Sequence, residues 1–134
     1  HGVIKPAPQQ QLASRLHDLF AGLNEVIERH QPHEAAVEET FVNSNARAAL
    51  ALGQARGVAL AAAARQGIAV AEYAPATIKK AVVGSGGADK TQVAFMVRRL
   101  LPTAGDVSAD AADALGVALC HAAYGGARRL AQRA

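Results

Sequence analysis

The sequence predicts an α/β fold in which a mixed sheet is flanked by helices, and three observations carry that expectation. Apolar residues recur at helical spacing over residues 9–30, 46–66, 75–83, 88–101 and 109–124. Two short runs, residues 34–40 and 68–73, interrupt that spacing. Pro, Gly and Asn sit at the junctions, where chain direction has to change. Long helical patterns alternating with short strand-like runs are what a sheet covered by helices requires.

The elements follow in order. His1, Gly2, Val3, Ile4 and Lys5 read as the end of a strand, and Pro6 and Pro8 then turn the chain into a loop. From Gln9 to His30, the set Leu12, Leu16, Leu19, Phe20, Leu23, Val26 and Ile27 falls on one helical face. Gln31, Pro32 and His33 end that helix. Residues 34–40 (EAAVEET) have no decisive period, and their place between two helical patterns favours a strand. Asn43, Ser44 and Asn45 offer caps for an Ala- and Leu-filled helix over residues 46–66. Gly53 and Gly57 stand inside it on one face. A helical glycine costs roughly 1 kcal/mol relative to alanine, so such a pair suggests close approach of another backbone. Residues 68–73 (IAVAEY) form the second strand candidate. Pro75 suits a first helical turn, and the helix through Val83 stops at Gly84. A further helix covers residues 88–101 before Pro102. Ser108 caps a last helix to about Tyr124, where Gly125 and Gly126 release a basic tail over residues 125–134. One domain over residues 1–134 is expected, without internal repeats.

Composition narrows the class. A chain of 134 residues, half of them apolar, can bury a core of its own. The sole cysteine, Cys120, excludes an intrachain disulfide and suits a reducing compartment. No apolar run reaches membrane-spanning length, so no membrane partner and a cytoplasmic location are expected. Net charge is only +3, but it is segregated. Pro75 to Leu101 carries Lys79, Lys80, Lys90, Arg98 and Arg99 against the single acid Asp89, and the tail adds Arg128, Arg129 and Arg133. The rest of the chain has an excess of acids. A protein that holds phosphates while keeping carboxylates for metal needs such a division. Solvated helix faces would look the same on charge alone.

Asp110 and Asp113 lie three apart at the start of the last predicted helix and share a face. Two carboxylates aimed the same way can ligate a hard cation; the plainer alternative is that they cap the helix. Glu38 and Glu39 close the first strand candidate, so one faces a site at the strand end while its neighbour faces away. An edge carboxylate in solvent is the alternative. The stretch from Gly84 to Thr91 invites a phosphate-loop reading and fails it: Asp89 stands where glycine must precede the lysine, and a helix precedes the turn where a strand should. A looser role survives for Lys90, near a nucleic-acid phosphate. Phe41, just past the strand, could stack on a base, although such an aromatic is more often core. The five histidines have no metal-ligand spacing, and Cys120 reads as a buried, inert thiol.

Taken jointly, residues 36–41 (AVEETF), 52–57 (LGQARG), 82–87 (VVGSGG) with Lys90, and 109–115 (ADAADAL) resemble the RuvC family of Holliday-junction resolvases in order and spacing. The resemblance covers almost the whole chain, and its second and fourth blocks are the specific ones. It implies an RNase H-like fold, a homodimer, and Mg²⁺- or Mn²⁺-dependent cutting of four-way junction DNA in recombination and repair, with two ions per site. Motif by motif, Glu38 matches the second catalytic and metal-binding carboxylate of the family, and Asp110 and Asp113 the third and fourth. Phe41 matches the aromatic that engages the junction; Lys79 and Lys90 match functional lysines, with Lys80 beside them as a further phosphate contact. The helix of Gly53 and Gly57 resembles the dimer-forming helix. The RuvA–RuvB branch-migration machinery is the expected partner.

One departure stands out. The family opens with a central strand bearing Asp-Pro-Gly, whose Asp is the first ligand, and no such motif occurs here. The expectation is therefore a chain lacking the N-terminal strands, with a preceding segment still to be supplied. A catalytically inactive junction-binding fragment and a purely structural helical domain are the rival readings.

Overall fold

The computed structural model describes residues 1–39 and 45–133, with the backbone helix alone beyond residue 125. The chain groups into two compact units, one of His1–Val3 with Tyr73–Ala134 and one of Ile4–Glu72.

The Ile4–Glu72 unit contains α1 (Leu12–His30), β1 (Glu34–Glu38), α2 (Ala46–Arg65) and most of β2 (Ala69–Tyr73). β1 and β2 pair in a two-stranded sheet and are joined through α2, the helical crossover that parallel neighbours need. Small residues let α1 and α2 approach: Ala62 and Ala63 are buried on α2. The contact is pinned by a buried Asn24, whose Nδ2 donates to the Phe20 carbonyl at 2.8 Å and whose Oδ1 accepts from Arg65 at 3.1 Å. A buried amide must be hydrogen-bonded in this way or it destabilises the helix pair. Gln66 donates to Glu28 across the same two elements, and Arg56 pairs with Glu72 between α2 and β2. α2 starts where Asn45 caps it, its side chain accepting from Ala48 N–H at 3.0 Å. α1 ends as Gln31 turns left-handed at φ 45°.

The other unit is helical: α3 (Pro75–Val83), α4 (Lys90–Leu100), a 3-10 turn (Pro102–Ala104) and α5 (Ala109–Arg133). Pro75 opens α3, and Gly84, at φ 87°, closes it by donating to the Lys80 carbonyl. That left-handed φ favours glycine, which has no Cβ to clash there. The core consists of Ile78 and Val82 of α3, Val93 and Val97 of α4, and Ala111, Ala112, Val117 and Cys120 of α5, with Ala88 and Val107 from the turns before α4 and α5. Ala94, Ala104 and Leu115 pack around Val107, Ala111 and Ala112. The aliphatic, aromatic-poor composition is thus a three-helix core.

Several boundaries differ from the sequence reading, α1 for instance beginning at Leu12 rather than Gln9, and three of the differences have a plain physical reason. Residues 1–5 form no strand, and the described sheet contains β1 and β2 only; a strand needs a neighbour to take its ladder hydrogen bonds. Ile4 instead lies against Gly22 of α1, where an added Cβ would meet its side chain at 3.0 Å. α4 begins at Lys90 rather than residue 88, because Asp89 caps it. α5 runs through Gly125 and Gly126 to Arg133. Unlike proline, glycine keeps its N–H donor and clashes with nothing, so it weakens a helix already under way without ending it. The expected basic tail over 125–134 is therefore helical through Arg133.

Candidate active site

Asp110 and Asp113 stand in the first turns of α5, one exposed and one half-buried. What places them is Ser108. Its Oγ accepts from Ala111 N–H at 3.4 Å and its carbonyl from Ala112 N–H at 2.9 Å, so the helix start is closed by a serine. Ala111 and Ala112 point into the core at 2% and 1% exposure, and this sets the opposite face, with both aspartates, outward. Ser108 takes the N-cap hydrogen bond, while Asp110 keeps the first-turn position in which an acid also stabilises a helix.

Asp113 has a different partner. Lys90 Nζ lies 3.3 Å from Asp113 Oδ2. Lys90 is the first residue of α4, and its backbone is fixed by a reciprocal capping box: Asp89 Oδ1 accepts from Gln92 N–H at 2.8 Å, and Gln92 Oε1 accepts from Asp89 N–H at 2.9 Å. Asp89, the residue that spoiled the phosphate-loop pattern, is thus the one that sets where Lys90 begins. Sequence reasoning missed this box, although Asp89 and Gln92 stand at the capping spacing.

The remaining expected residues divide. Glu38 closes β1 in the other unit and is exposed, with Glu39 half-buried behind it. Lys79 and Lys80 sit on the last turns of α3, half-buried and exposed respectively. Phe41 lies outside the described residues. Of the other cations in the basic stretch, Arg98 donates to the Val107 carbonyl at 3.3 Å and braces the turn before α5. His121 and Tyr73 share a hydrogen bond at 2.8 Å, and Tyr73 stacks on Tyr124, a packing role. Cys120 is fully buried, and burial pushes its thiol pKa up, which keeps it neutral and unreactive.

The donor chemistry of Asp110 and Asp113 fits a hard divalent cation, which takes carboxylate oxygen and keeps waters. On the same face the Lys90 ammonium lies 3.3 Å from Asp113 Oδ2 and partly neutralises it. Among the described residues no group of three His, Cys, Asp or Glu side chains comes together to complete a ligand set. The two aspartates are thus a pair, not a full cage.

Comparison with known proteins gives one answer. The family model described as crossover junction endodeoxyribonuclease RuvC matches residues 1–121. The chain is 58% identical over 122 residues to a protein of that name from Caulobacter vibrioides, covering 91% of this chain and 72% of the relative. It is 60% identical over 121 residues to one from Acidiphilium cryptum, covering 90% and 72%. Among solved structures it resembles Thermus thermophilus RuvC with a TM-score of 0.81 at 38% identity, covering 92% of this chain and 75% of that one. It also resembles that protein in complex with a Holliday junction substrate, with a TM-score of 0.80.

Proposed function

The chain belongs to the RuvC family of crossover junction endodeoxyribonucleases, and we propose that Asp110, Asp113 and Glu38 are its metal-binding catalytic carboxylates. The fold is the RNase H-like α/β fold of that family, and the activity is metal-dependent endonucleolytic resolution of Holliday junctions. The observation that carries the site is the pair of aspartates on the outward face at the start of α5, which Ser108 closes, with Asp113 beside Lys90.

In this reading the reaction is hydrolysis of a phosphodiester: water oxygen bonds to phosphorus, the bond to the 3′-oxygen breaks, and the proton of the water ends on that oxygen or in solvent. Two bound divalent ions, Mg²⁺ or Mn²⁺, would activate the water and stabilise the leaving oxygen. The work of the chain is positioning. Asp110 and Asp113 supply oxygen ligands from a helix whose opposite face is locked in the core, and Glu38 supplies another from the end of β1. Lys79, Lys80 and Lys90 neutralise phosphates, and Phe41 stacks against an unpaired base of the junction. Residues 1–134 act as one nuclease domain, paired into a homodimer through α2 and served by the RuvA–RuvB machinery in the cytoplasm. Support for the dimer comes from Gly53 and Gly57, which are exposed on α2 with open space above them. No described helix is long and apolar enough to cross a membrane.

Asp110→Asn is the test. The variant, made in the full-length protein, keeps four-way junction binding in a gel-shift assay and loses cutting by at least about a hundredfold, the scale on which removing one essential electrostatic group acts. Normal divalent-dependent cutting by Asp110→Asn would remove the ligand role.

A further inference from the structure

We propose that Lys90 is a shared cation. Its ammonium holds Asp113 while that carboxylate carries no metal, and it passes to a DNA phosphate once a divalent ion takes the carboxylate. The inference rests on the reading of Asp113 as a ligand and adds a coupling between metal and DNA that the reading lacks.

Three features of the contact point this way. The separation, 3.3 Å, is long for an ammonium–carboxylate hydrogen bond, which is shorter than 3 Å when well made. The Lys90 side chain is 87% exposed and Asp113 43%, so the pair lies in solvent, where such bridges are weak and replaceable. The backbone of Lys90 is the opposite case, fixed by the Asp89–Gln92 box. A firmly rooted lysine with a loosely held tip can change partners by rotating its stem, without moving α4 or opening the core.

Charge decides the direction of the exchange. A divalent ion bound at Asp113 would stand beside an ammonium competing for the same oxygens, and like charges at that range repel. Lys90 therefore opposes metal binding, and the metal displaces Lys90. The released ammonium stays at the N-terminal end of α4, where the helix dipole also favours an anion, and a phosphate is the anion this protein meets. Metal and DNA then each help the other to bind, because each removes a competitor for a shared group.

The experiment has two readouts, neither of them cutting. First, Mn²⁺ alone is titrated by calorimetry into the full-length wild type, Lys90→Gln, Lys90→Met, Asp113→Asn and the Lys90→Gln/Asp113→Asn pair, with thermal melts as a fold control. Removing the ammonium should tighten Mn²⁺ about two- to five-fold, the size expected for an exposed ion pair, and the gain should vanish in the Asp113→Asn background. Second, junction binding is followed against salt with Ca²⁺ and with EDTA. The slope of affinity on salt should fall by about 1 per site on Lys90→Gln when Ca²⁺ is present and hardly change in EDTA. Unchanged or weaker Mn²⁺ binding by both Lys90 variants, with Asp113→Asn still impairing it, overturns the shared cation and leaves the ligand reading standing. An equal loss of slope with and without Ca²⁺ also overturns it. If Asp113→Asn binds Mn²⁺ like the wild type, the ligand reading falls first and takes the exchange with it.

Discussion

Asp89 and Lys90 are neighbours with opposite duties, one holding the start of α4 and the other reaching Asp113. Asp89→Ala removes the acceptor for Gln92 N–H, and loss of such a cap costs about 1 kcal/mol. A urea midpoint lowered accordingly, together with the same gain in Mn²⁺ affinity expected of the Lys90 variants, would show that the cap also aims the lysine; stability lost with metal affinity unchanged would limit Asp89 to the helix. Cys120 gives a pH prediction. Its thiol pKa is raised in the folded chain by burial, so the folded state keeps its proton where the unfolded state has lost it. The associated stability is whole below the ordinary thiol pKa and declines as pH rises above it towards the folded value. Cys120→Ala should flatten that alkaline loss in melts run across pH, and the native thiol should resist alkylating reagents. At this scale the sequence was legible for residue type and opaque for pairing. Spacing marked Asp110, Asp113 and Lys90 as candidates, and the family resemblance supplied the roles proposed for them. The contact between Lys90 and Asp113 spans 23 positions and depends on how α4 packs on α5, which no local pattern records.

Helices were read well where their ends carry chemistry. Pro75 and Gly84 bound α3, and Asn45 opens α2, as their backbone preferences require. Two of the differences share a cause. Val3 and Ile4 have strand-forming side chains but no ladder partner among the described residues, and Gly125 and Gly126 weaken a helix that packing further up has already started. Composition states a tendency; neighbours decide the outcome. α2 poses the converse case, since several of its exposed positions are not explained by its own unit. Leu50 is 64% and Leu52 58% exposed, and Gly53 and Gly57 have nothing within contact of a Cβ. Gly57→Leu separates fold from interface by sign. Inside one chain it should stabilise α2 by up to about 1 kcal/mol through helix propensity. Across the close helix pair of the proposed dimer it should overfill the gap and weaken association about tenfold or more, on the scale of overpacking penalties. Sedimentation across a dilution series reads the second effect and a melt at low concentration the first; an unaltered dimer would remove α2 from the interface.

For the whole molecule, charge segregation was the sequence signal most open to a bland reading, and the structure changes how it should be counted. The run from Pro75 to Leu101 offers five cations, but they are not equivalent. Arg98 is engaged with the Val107 carbonyl, and Lys90 with Asp113. Lys79, Lys80 and Arg99 remain, and of these Lys79 and Lys80, one turn before the glycine that closes α3, are the proposed phosphate contacts. Each phosphate neutralised adds close to one unit to the slope of binding on salt. The double variant Lys79→Ala/Lys80→Ala should therefore lower that slope by about 2 per chain in EDTA, weakening binding to junction and linear duplex alike, because backbone contacts carry no sequence information. Arg98→Ala should do the reverse: the slope stays, while the loss of a brace on the turn before α5 appears as a lower melting temperature and, through displaced aspartates, as weaker Mn²⁺ binding. A slope that fell equally for Arg98→Ala and for the lysine pair would mean that the basic stretch acts as an undifferentiated field, and that the division between anchoring and phosphate-binding cations is wrong.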